Sequence, residues 1–367
     1  MTGVLETGRR RLVGIVSTLA GIGLAAASAW SFLASPAIAE STLATVERRA
    51  WAMGTRLVVT VAADRRAIAL GASEAAIRAV AEVEARLSTW THDSELSRLN
   101  GAVPATAVAL SPELEADLFE AVHWWRETGG AFDPGVASLV DVWNLRGRGR
   151  VPTATELETS LSASGIRFLV LEPGTARIER AGFGIDEGGF GKGVALRSAA
   201  AAALESGAGC VVLDFGGQIS MDGSCAPAWI DIADPSDRHR GLARLKMGAE
   251  SVATSGNSER GLSVEGVRYG HILDPRSGRP AADWGTVTVV AKDPVAADCL
   301  STALLVMGPR EGIEWLRGRP EIDAVFVERS EEEKITATAG LESRLEVSGE
   351  RVELLPPAQP RTAAFSH

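Results

Sequence analysis

The chain is organised around the segment HILDPRSGRP at residues 271–280, which follows Thr254-Ser255-Gly256 by fifteen residues. Two prolines and a glycine predict a turn, and around it stand a histidine, an aspartate and two arginines. Such turns are common on protein surfaces, and a histidine beside an isoleucine is more often a core residue than a catalyst. Because these side chains also move protons and bind anions in enzymes, the segment is a candidate site.

The first 39 residues are predicted to be an export signal and not part of the fold. Three arginines at positions 9–11 precede an uncharged run at 12–33, and Ala37-Ile38-Ala39 supplies the small residues that a signal peptidase requires. The arginines resemble those of a twin-arginine signal, so we expect a periplasmic protein. The uncharged run also approaches the length of a membrane span, and an uncleaved anchor is the alternative.

The folded part is predicted to be one unit at residues 40–355, followed by a disordered tail at 356–367. The chain has 367 residues and is 46% hydrophobic, which is enough for a large core. Loss of three arginines and one glutamate with the leader takes the formal net charge from -10 to -12. This acidic balance argues against a nucleic-acid partner, so any anionic ligand must be held by local cations or a metal.

The cysteines are too few, and odd in number, for a disulfide framework. We predict that Cys210, Cys225 and Cys299 serve as small apolar side chains. A disulfide between Cys210 and Cys225 is the alternative in an oxidising compartment.

Local patterns predict alternating helices and strands. The run at residues 57–61 is typical of a strand, and Ser111-Pro112-Glu113 is typical of a helix start. An earlier helix is predicted to bury the face formed by Ile77, Val80, Ala81 and Leu87. Residues 166–171 are predicted to form a strand.

A glycine-rich segment, IDEGGFGKG at residues 185–193, precedes an alanine-rich helix that runs to about Glu205. Glycines at a helix start let the backbone approach a phosphate or a metal, and Lys192 adds a cation. The spacing is neither that of a P-loop nor that of a dinucleotide-binding turn, and most such helix starts bind nothing.

A later helix, beginning at Asp293-Pro294, carries Asp298, Ser301 and Thr302. Their spacing of i, i+3 and i+4 places three oxygen-bearing side chains on one face. Oxygen ligands suit a hard cation such as Mg²⁺. In an arbitrary helix the same side chains are usually solvated or locally hydrogen-bonded.

Seven segments, taken in order between Ala52 and Gly308, resemble those of the ApbE family of FAD:protein FMN transferases. They are MGT at 53–55, LSTWTHDSELSRLN at 87–100, GAFDPGV at 130–136, the glycine-rich segment, the paired glycines at 216–217, TSG with the 271–280 segment, and ADCLSTALL at 297–305. The resemblance implies an α+β fold, a T-fold-like arrangement of mixed and antiparallel sheets with flanking helices.

The resemblance also implies roles for individual residues. The metal ligands would be Asp298, Thr302, the adjacent Ser301 and the carbonyl of Gly189. The flavin nucleotide would be held by Met53, Trp90, Ala131, Phe132, Asp133, Asp186, Lys192 and Ile272.

Four positions depart from the family pattern. Gly135 and Ser277 each replace a threonine, Val194 replaces a tyrosine, and Arg197 replaces an aspartate. Ser277 keeps the hydroxyl, whereas the loss of the other three side chains leaves their roles open.

These residues predict Mg²⁺-dependent transfer of FMN from FAD to a Thr or Ser hydroxyl of a target flavoprotein, with release of AMP. His271 is the candidate general base, because imidazole is the side chain that titrates nearest neutral pH. The alternatives are a Mg²⁺-dependent FAD pyrophosphatase and a non-catalytic periplasmic FAD carrier. The resemblance further implies a membrane-bound respiratory flavoprotein, exposed to the periplasm, as the acceptor.

Overall fold

A computed structural model describes residues 43–257, 261–264, 266–329, 334–347 and 352–356. The predicted export signal and the predicted tail beyond Pro356 lie outside these residues. Its helices are α1 Arg66–Leu87, α2 Glu95–Asn100, α3 Pro112–Glu127, α4 Ala137–Val142, α5 Ala154–Ala163, α6 Gly191–Glu205 and α7 Pro294–Leu316.

The strands of the described residues include every pattern predicted as extended except the start of the 166–171 run. They are β1 Ala44–Ala52, β2 Thr55–Ala63, β3 Val108–Ala109, β4 Leu169–Glu172, β5 Thr175–Ile178, β6 Cys210–Phe215, β7 Gln218–Gly223, β8 Ala228–Ala233, β9 Gly241–Met247, β10 Ser251–Gly256, β11 Gly261–Val264, β12 Val267–Gly270, β13 Leu273–Asp274, β14 Arg279–Pro280, β15 Gly285–Ala291, β16 Asp323–Glu328, β17 Lys334–Ala337, β18 Leu345–Val347 and β19 Val352–Leu354.

The largest sheet has nine strands in the order β1-β2-β6-β7-β10-β15-β16-β17-β19. Its pairs are antiparallel except β17 with β19, which are parallel. Three-stranded sheets form from β18-β9-β8 and from β3-β5-β4, and two hairpins from β11-β12 and β13-β14. The predicted α+β class with mixed sheets is therefore observed.

The large sheet is buried on both faces, because its strands alternate apolar side chains between two cores. One face, with Val59, Leu213 and Val289, packs beneath helices α1, α6 and α7. The other face, with Val252 and Val290, packs against β8 and β9. This layering fixes α6 and α7 side by side, with α6 over β6 and β7 and with α7 over β10 and β15.

Two predictions of local structure were wrong in part. In α1 the buried face runs through Ala72, Ala76, Val80, Val83 and Leu87, whereas Ala81 is exposed. Several small alanines on both sides of this helix made its apolar face ambiguous by periodicity. The predicted strand at 166–171 begins with a 3₁₀ turn at Ile166–Phe168, and extended structure starts at Leu169.

Cys210 and Cys225 form a disulfide, which was the alternative prediction, and Cys299 is free and buried as predicted. The bond joins the start of β6 to the segment after β7. Among the described residues, no helix has both the length and the apolar character that a bilayer span requires.

The starts of α6 and α7 touch at Gly193. A Cβ atom there would lie 2.6 Å from the carbonyl oxygen of Pro294 and 2.6 Å from the Cα atom of Val295. Both neighbours are backbone atoms, which cannot rotate away. Gly193 therefore sets the distance between the two helix starts.

We expect Gly193→Ala to destabilise the protein by about 1–3 kcal/mol, because the added methyl must push the two helix starts apart. Urea unfolding measures the change. The matched control is Gly71→Ala in α1, where a Cβ atom meets nothing within 4 Å. That substitution should be neutral or stabilising by about 0.5–1 kcal/mol. Equal effects of the two substitutions would show that the close contact at Gly193 is unimportant.

Candidate active site

The predicted site residues of α6 and α7 meet where the two helices begin. Lys192 Nζ lies 2.8 Å from Asp298 Oδ1, and the backbone N–H of Gly193 donates to Asp298 Oδ2 at 3.0 Å. Gly189, just before α6, lies beside α7, because a Cβ atom there would be 3.5 Å from Thr302 Oγ1. The structure thus brings Gly189, Lys192, Asp298 and Thr302 together.

Asp298 is a charged side chain in a nearly dry place, with its side chain 5% exposed. A buried carboxylate is tolerated only when a cation and hydrogen-bond donors compensate for its lost hydration. Lys192 and the Gly193 amide supply both. The glycine-rich segment therefore stabilises the Asp298 carboxylate and also allows close packing of the two helices.

Ser301 joins this helix to the central strand β10. Ser255 Oγ donates to Ser301 Oγ at 2.9 Å, and Ser301 Oγ donates to the carbonyl of Asp298 at 3.0 Å. The Ser301 proton is thus engaged within the helix, and the hydroxyl keeps one lone pair for any further partner. Its predicted role as a metal ligand stays a prediction.

The His271 segment begins beside the end of β10. Asn257, two residues after Ser255, lies against Gly270, where a Cβ atom would be 2.2 Å from the Asn257 amide. Asn257 Nδ2 donates to the carbonyl of Ala281, and the Ala281 amide donates to the carbonyl of Ile272. This chain of contacts places half-buried His271 and Ile272 next to the strand end that holds Ser255.

The rest of the 271–280 segment is a structural turn. Asp274 accepts hydrogen bonds from the backbone and the guanidinium of Arg276, and Arg276 also pairs with Glu311 of α7. Trp143 Nε1 donates to the carbonyl of Gly278 at 2.8 Å from the small core formed by α4 and α5. These contacts hold the loop without involving His271.

The predicted flavin-binding segment at 131–133 lies beneath the glycine-rich segment. The ring of Phe132 is 3.1 Å from where a Cβ atom on Gly189 would lie, and both Phe132 and Ala131 are buried. Met53 reaches the same region, because its methyl is 2.9 Å from a Cβ position on Gly191. Met53 itself has a left-handed backbone, φ 45°, and its amide donates to Glu84.

Asp133 holds the backbone of its own neighbourhood. Its Oδ1 accepts from the amides of Gly135 and Ile166, both at 2.8 Å. Burial raises the pKa of the Asp133 carboxyl from 3.8 to about 6, against the lowering effect of those two amides and of Arg167. Its side chain is therefore committed to the 133–135 and 165–166 loops.

Two of the departures from the family pattern have a local reason. At Gly135 a Cβ atom would lie 2.4 Å from the Ile166 nitrogen, so no threonine fits there. Arg197 pairs with Glu120 of α3, and its Nη1 lies 3.5 Å from Asp293 at the start of α7. An aspartate at position 197 would meet both of these carboxylates. Val194 is buried in the main core.

Asp186 and Trp90 belong to a second cluster, which contains three residues that the sequence did not indicate. Arg146 Nη2 lies 2.6 Å from Asp186 Oδ2 and 2.7 Å from Thr89 Oγ1, and the Thr89 hydroxyl donates to Glu187. Burial, and next the charge of Asp186, raises the pKa of Glu187. Arg146 stands in an Arg-Gly-Arg-Gly-Arg run at 146–150, which is the one sequence signal that could have attracted notice.

Comparison with known proteins identifies the family. A model of the ApbE family matches residues 53–326. The chain belongs to the ApbE family. The FAD:protein FMN transferase of Treponema pallidum is 31% identical over 328 residues, covering 82% of this chain and 89% of the relative. That of Vibrio cholerae is 32% identical over 244 residues, covering 64% of this chain and 73% of the relative.

Solved structures of ApbE proteins share the fold. The ApbE protein of Thermotoga maritima aligns with a TM-score of 0.74 and 29% identity, covering 80% of this chain and 96% of that one. The flavin transferase ApbE of Vibrio cholerae aligns with a TM-score of 0.73 and 28% identity, covering 82% and 99%. The predicted family, α+β fold and enzyme class, a flavin transferase, are confirmed.

The raised pKa of Asp133 predicts how the free energy of unfolding depends on pH. Because the pKa of Asp133 is raised to about 6 in the folded protein, its contribution to stability is fully present below about pH 4 and is lost as the pH rises through 6. Asp133→Asn keeps the Oδ1 acceptor for both amides and has no charge to bury. We expect it to be more stable than the wild type at pH 7.5 by up to about 3 kcal/mol, and by much less at pH 4.5.

Asp133→Ala is the matched comparison, because it leaves the amides of Gly135 and Ile166 without an acceptor. It should be less stable than Asp133→Asn by about 2–4 kcal/mol at both pH values, because neither variant titrates. Urea unfolding of the three proteins at each pH measures these differences. An Asn variant as unstable as the Ala variant at pH 7.5 would contradict the stated cause of the pKa shift.

Proposed function

We propose that this protein transfers FMN from FAD to a Thr or Ser hydroxyl of a target flavoprotein and releases AMP. One observation carries the proposal: a buried carboxylate, a lysine and a glycine-rich helix start converge, beside the loop that holds the histidine. A diphosphate is stabilised by positive charge, and the start of α6 offers Lys192 and the positive end of the helix dipole. Membership in the ApbE family gives this arrangement its substrate.

The donor set fits Mg²⁺. Asp298, Ser301, Thr302 and the backbone at Gly189 supply oxygen atoms only, and Mg²⁺ is commonly bound by one or two carboxylates together with substrate phosphates. The described residues include no cluster of three or more His, Cys, Asp and Glu side chains suited to a metal. A set with a single carboxylate is a different kind of site, whose remaining ligands would come from the diphosphate. Mg²⁺ bound there would neutralise diphosphate charge and polarise a phosphoryl oxygen.

The contact of Lys192 with Asp298 supports a site that accepts positive charge beside this carboxylate. The ammonium of Lys192 donates to Oδ1 of Asp298. The lysine side chain is 29% exposed, so the lysine reaches the site from the solvent side. A divalent ion on Asp298 and an ammonium on the same oxygen repel each other. We infer that Lys192 moves to the diphosphate when FAD and Mg²⁺ are bound.

We propose the following reaction at these residues. The acceptor oxygen forms a bond to the phosphorus of the FMN half, and the bond from that phosphorus to the bridging oxygen breaks. AMP leaves with the electron pair of that bond. His271 accepts the proton of the acceptor hydroxyl, which makes a weak nucleophile reactive. Lys192 holds the phosphoryl oxygens in line.

The acceptor is proposed to be a membrane-bound respiratory flavoprotein that faces the periplasm. The disulfide between Cys210 and Cys225 supports an oxidising compartment, because such bonds are rare in the cytosol. The twin-arginine-like start of the sequence supports the same location.

We expect His271→Ala to bind FAD with wild-type affinity and to transfer FMN at least about 100-fold more slowly, because the general base is missing. In-gel flavin fluorescence of co-expressed periplasmic flavoproteins measures transfer, and fluorescence titration measures FAD affinity. His239→Ala, an exposed histidine between β8 and β9, is the matched control and should label normally. Normal labelling by His271→Ala would exclude the base role.

The same assay separates transfer from hydrolysis. Incubation of the wild type with FAD and Mg²⁺ without an acceptor should leave FAD intact. Free FMN and AMP would indicate a pyrophosphatase. FAD that stays intact when acceptor and Mg²⁺ are both present would indicate a carrier.

We expect Asp298→Ala to lose the Mg²⁺ dependence of transfer and to bind Mn²⁺, a spectroscopic substitute for Mg²⁺, at least about tenfold more weakly, because it removes the only carboxylate of the proposed ligand set. Electron paramagnetic resonance measures Mn²⁺ binding without any reaction. Asp293→Asn, the first-turn cap of the same helix, removes an equal charge while keeping a capping side chain. It should bind Mn²⁺ normally, and equal weakening in both variants would point to general charge and not to ligation.

A further inference from the structure

Trp90 is the most solvent-exposed residue in the cluster around Asp186, yet the residue before it is held at every polar atom. The indole residue is 69% exposed. The Thr89 amide donates to Glu187 Oε1 at 3.3 Å, and its hydroxyl donates to Glu187 Oε2 at 2.5 Å. Its carbonyl and its hydroxyl oxygen accept from Arg146 at 3.2 and 2.7 Å.

Arg146 is the group that ties this arrangement together. Its guanidinium also pairs with Asp186 at 2.6 Å, and it lies over the Trp90 ring, 5.6 Å from the ring centroid. The Arg146 side chain therefore contacts Thr89, which precedes the tryptophan, the face of the Trp90 indole, and Asp186 in the segment that leads into α6. Only arginine combines a planar fork of donors with stacking on an aromatic face.

The loop that carries Arg146 is itself well fixed. The carbonyl of Asn144 accepts from the amides of Gly147 and Gly149, and the Arg150 amide donates to the carbonyl of Trp143. Trp143 is buried under the 271–280 segment. The loop that carries Arg146 is thus anchored to the same small core that contacts the His271 loop.

Surface ion pairs alone add little stability, so the number of contacts on Thr89 calls for another reason. A stacking ligand binds best to an exposed aromatic ring whose backbone is already fixed. Less conformational entropy is then lost on binding. The Trp90 side chain keeps most of its surface free while Arg146 lies over its ring.

We propose that Arg146 is a positioning residue for the flavin half of FAD. It holds Thr89 and Asp186 so that Trp90 presents an open face to the isoalloxazine ring. This inference rests on the proposed function for the identity of the ligand. It concerns binding only, so it can be tested without the transfer reaction.

The experiment measures the affinities of the two halves of FAD separately. Riboflavin reports stacking on Trp90, and ADP reports the diphosphate site; both are titrated calorimetrically with wild type and with Arg146→Gln. We expect riboflavin to bind about tenfold more weakly to the variant, as loss of a positioned aromatic contact implies, and ADP within about twofold of wild type. Arg146→Lys should recover only part of the loss.

Arg150→Gln is the matched control, because Arg150 lies in the same loop and pairs with Glu156 at the start of α5. It should leave both affinities unchanged. A double-mutant cycle with Trp90→Ala completes the test: if Arg146 acts through Trp90, adding Arg146→Gln to Trp90→Ala should weaken riboflavin binding no further.

Three results would overturn the inference. Weaker ADP binding with unchanged riboflavin binding would mean that Arg146 contacts a phosphate directly. Equal weakening of both ligands with a lowered unfolding temperature would mean a structural role. Additive effects in the cycle would separate Arg146 from Trp90. Failure of the wild type to bind riboflavin, FMN and FAD would instead refute the proposed function itself.

Discussion

The site depends on one buried charge, the carboxylate of Asp298. Water cannot solvate it there, so the fold must bring a cation and a hydrogen-bond donor to it. Lys192 and the amide of Gly193 meet that need from the first turn of α6. They can do so only because Gly193 has no side chain between the two helix starts. The spacing of α6 and α7, and with it the positions of Gly189 and Thr302, follows from this electrostatic requirement.

The central sheet supplies the rigidity that this arrangement needs. Strand β10 pairs with β7 and β15 in the middle of nine strands, and its Ser255 contacts Ser301 of α7. The same end of the strand continues into Asn257, which contacts Gly270 just before His271. One strand therefore relates the helix that carries Asp298 to the loop that carries His271. Residues far apart in sequence reach one site because this strand is fixed in the middle of the central sheet.

Much of the fold could be predicted from local chemistry. Ser111 and Pro112 start α3, and the glycine-rich segment precedes α6, as the sequence indicated. The face of α1 could not be predicted well, because alanines at many positions suit burial or exposure. The pairing of Arg146 with Asp186 spans 40 residues and has no local pattern. The contacts of Asp133 with Gly135 and Ile166 likewise appear only when two loops meet.

Three carboxylates that the family resemblance assigns to the site show why such assignments mix two kinds of residue. Asp298 is held by Lys192 and one backbone amide, Asp186 by one backbone amide and by an arginine that is also fixed to Thr89, and Asp133 by two backbone amides alone. Backbone amides cannot move to a ligand without unfolding the loop. The role of Asp133 is therefore to hold the loops beside the site. A flexible lysine can exchange partners at small cost, which makes Asp298 the carboxylate best able to take a new cation. A buried carboxylate can bind a ligand when the group that compensates its charge is able to move. It has a structural role when that group is part of the backbone.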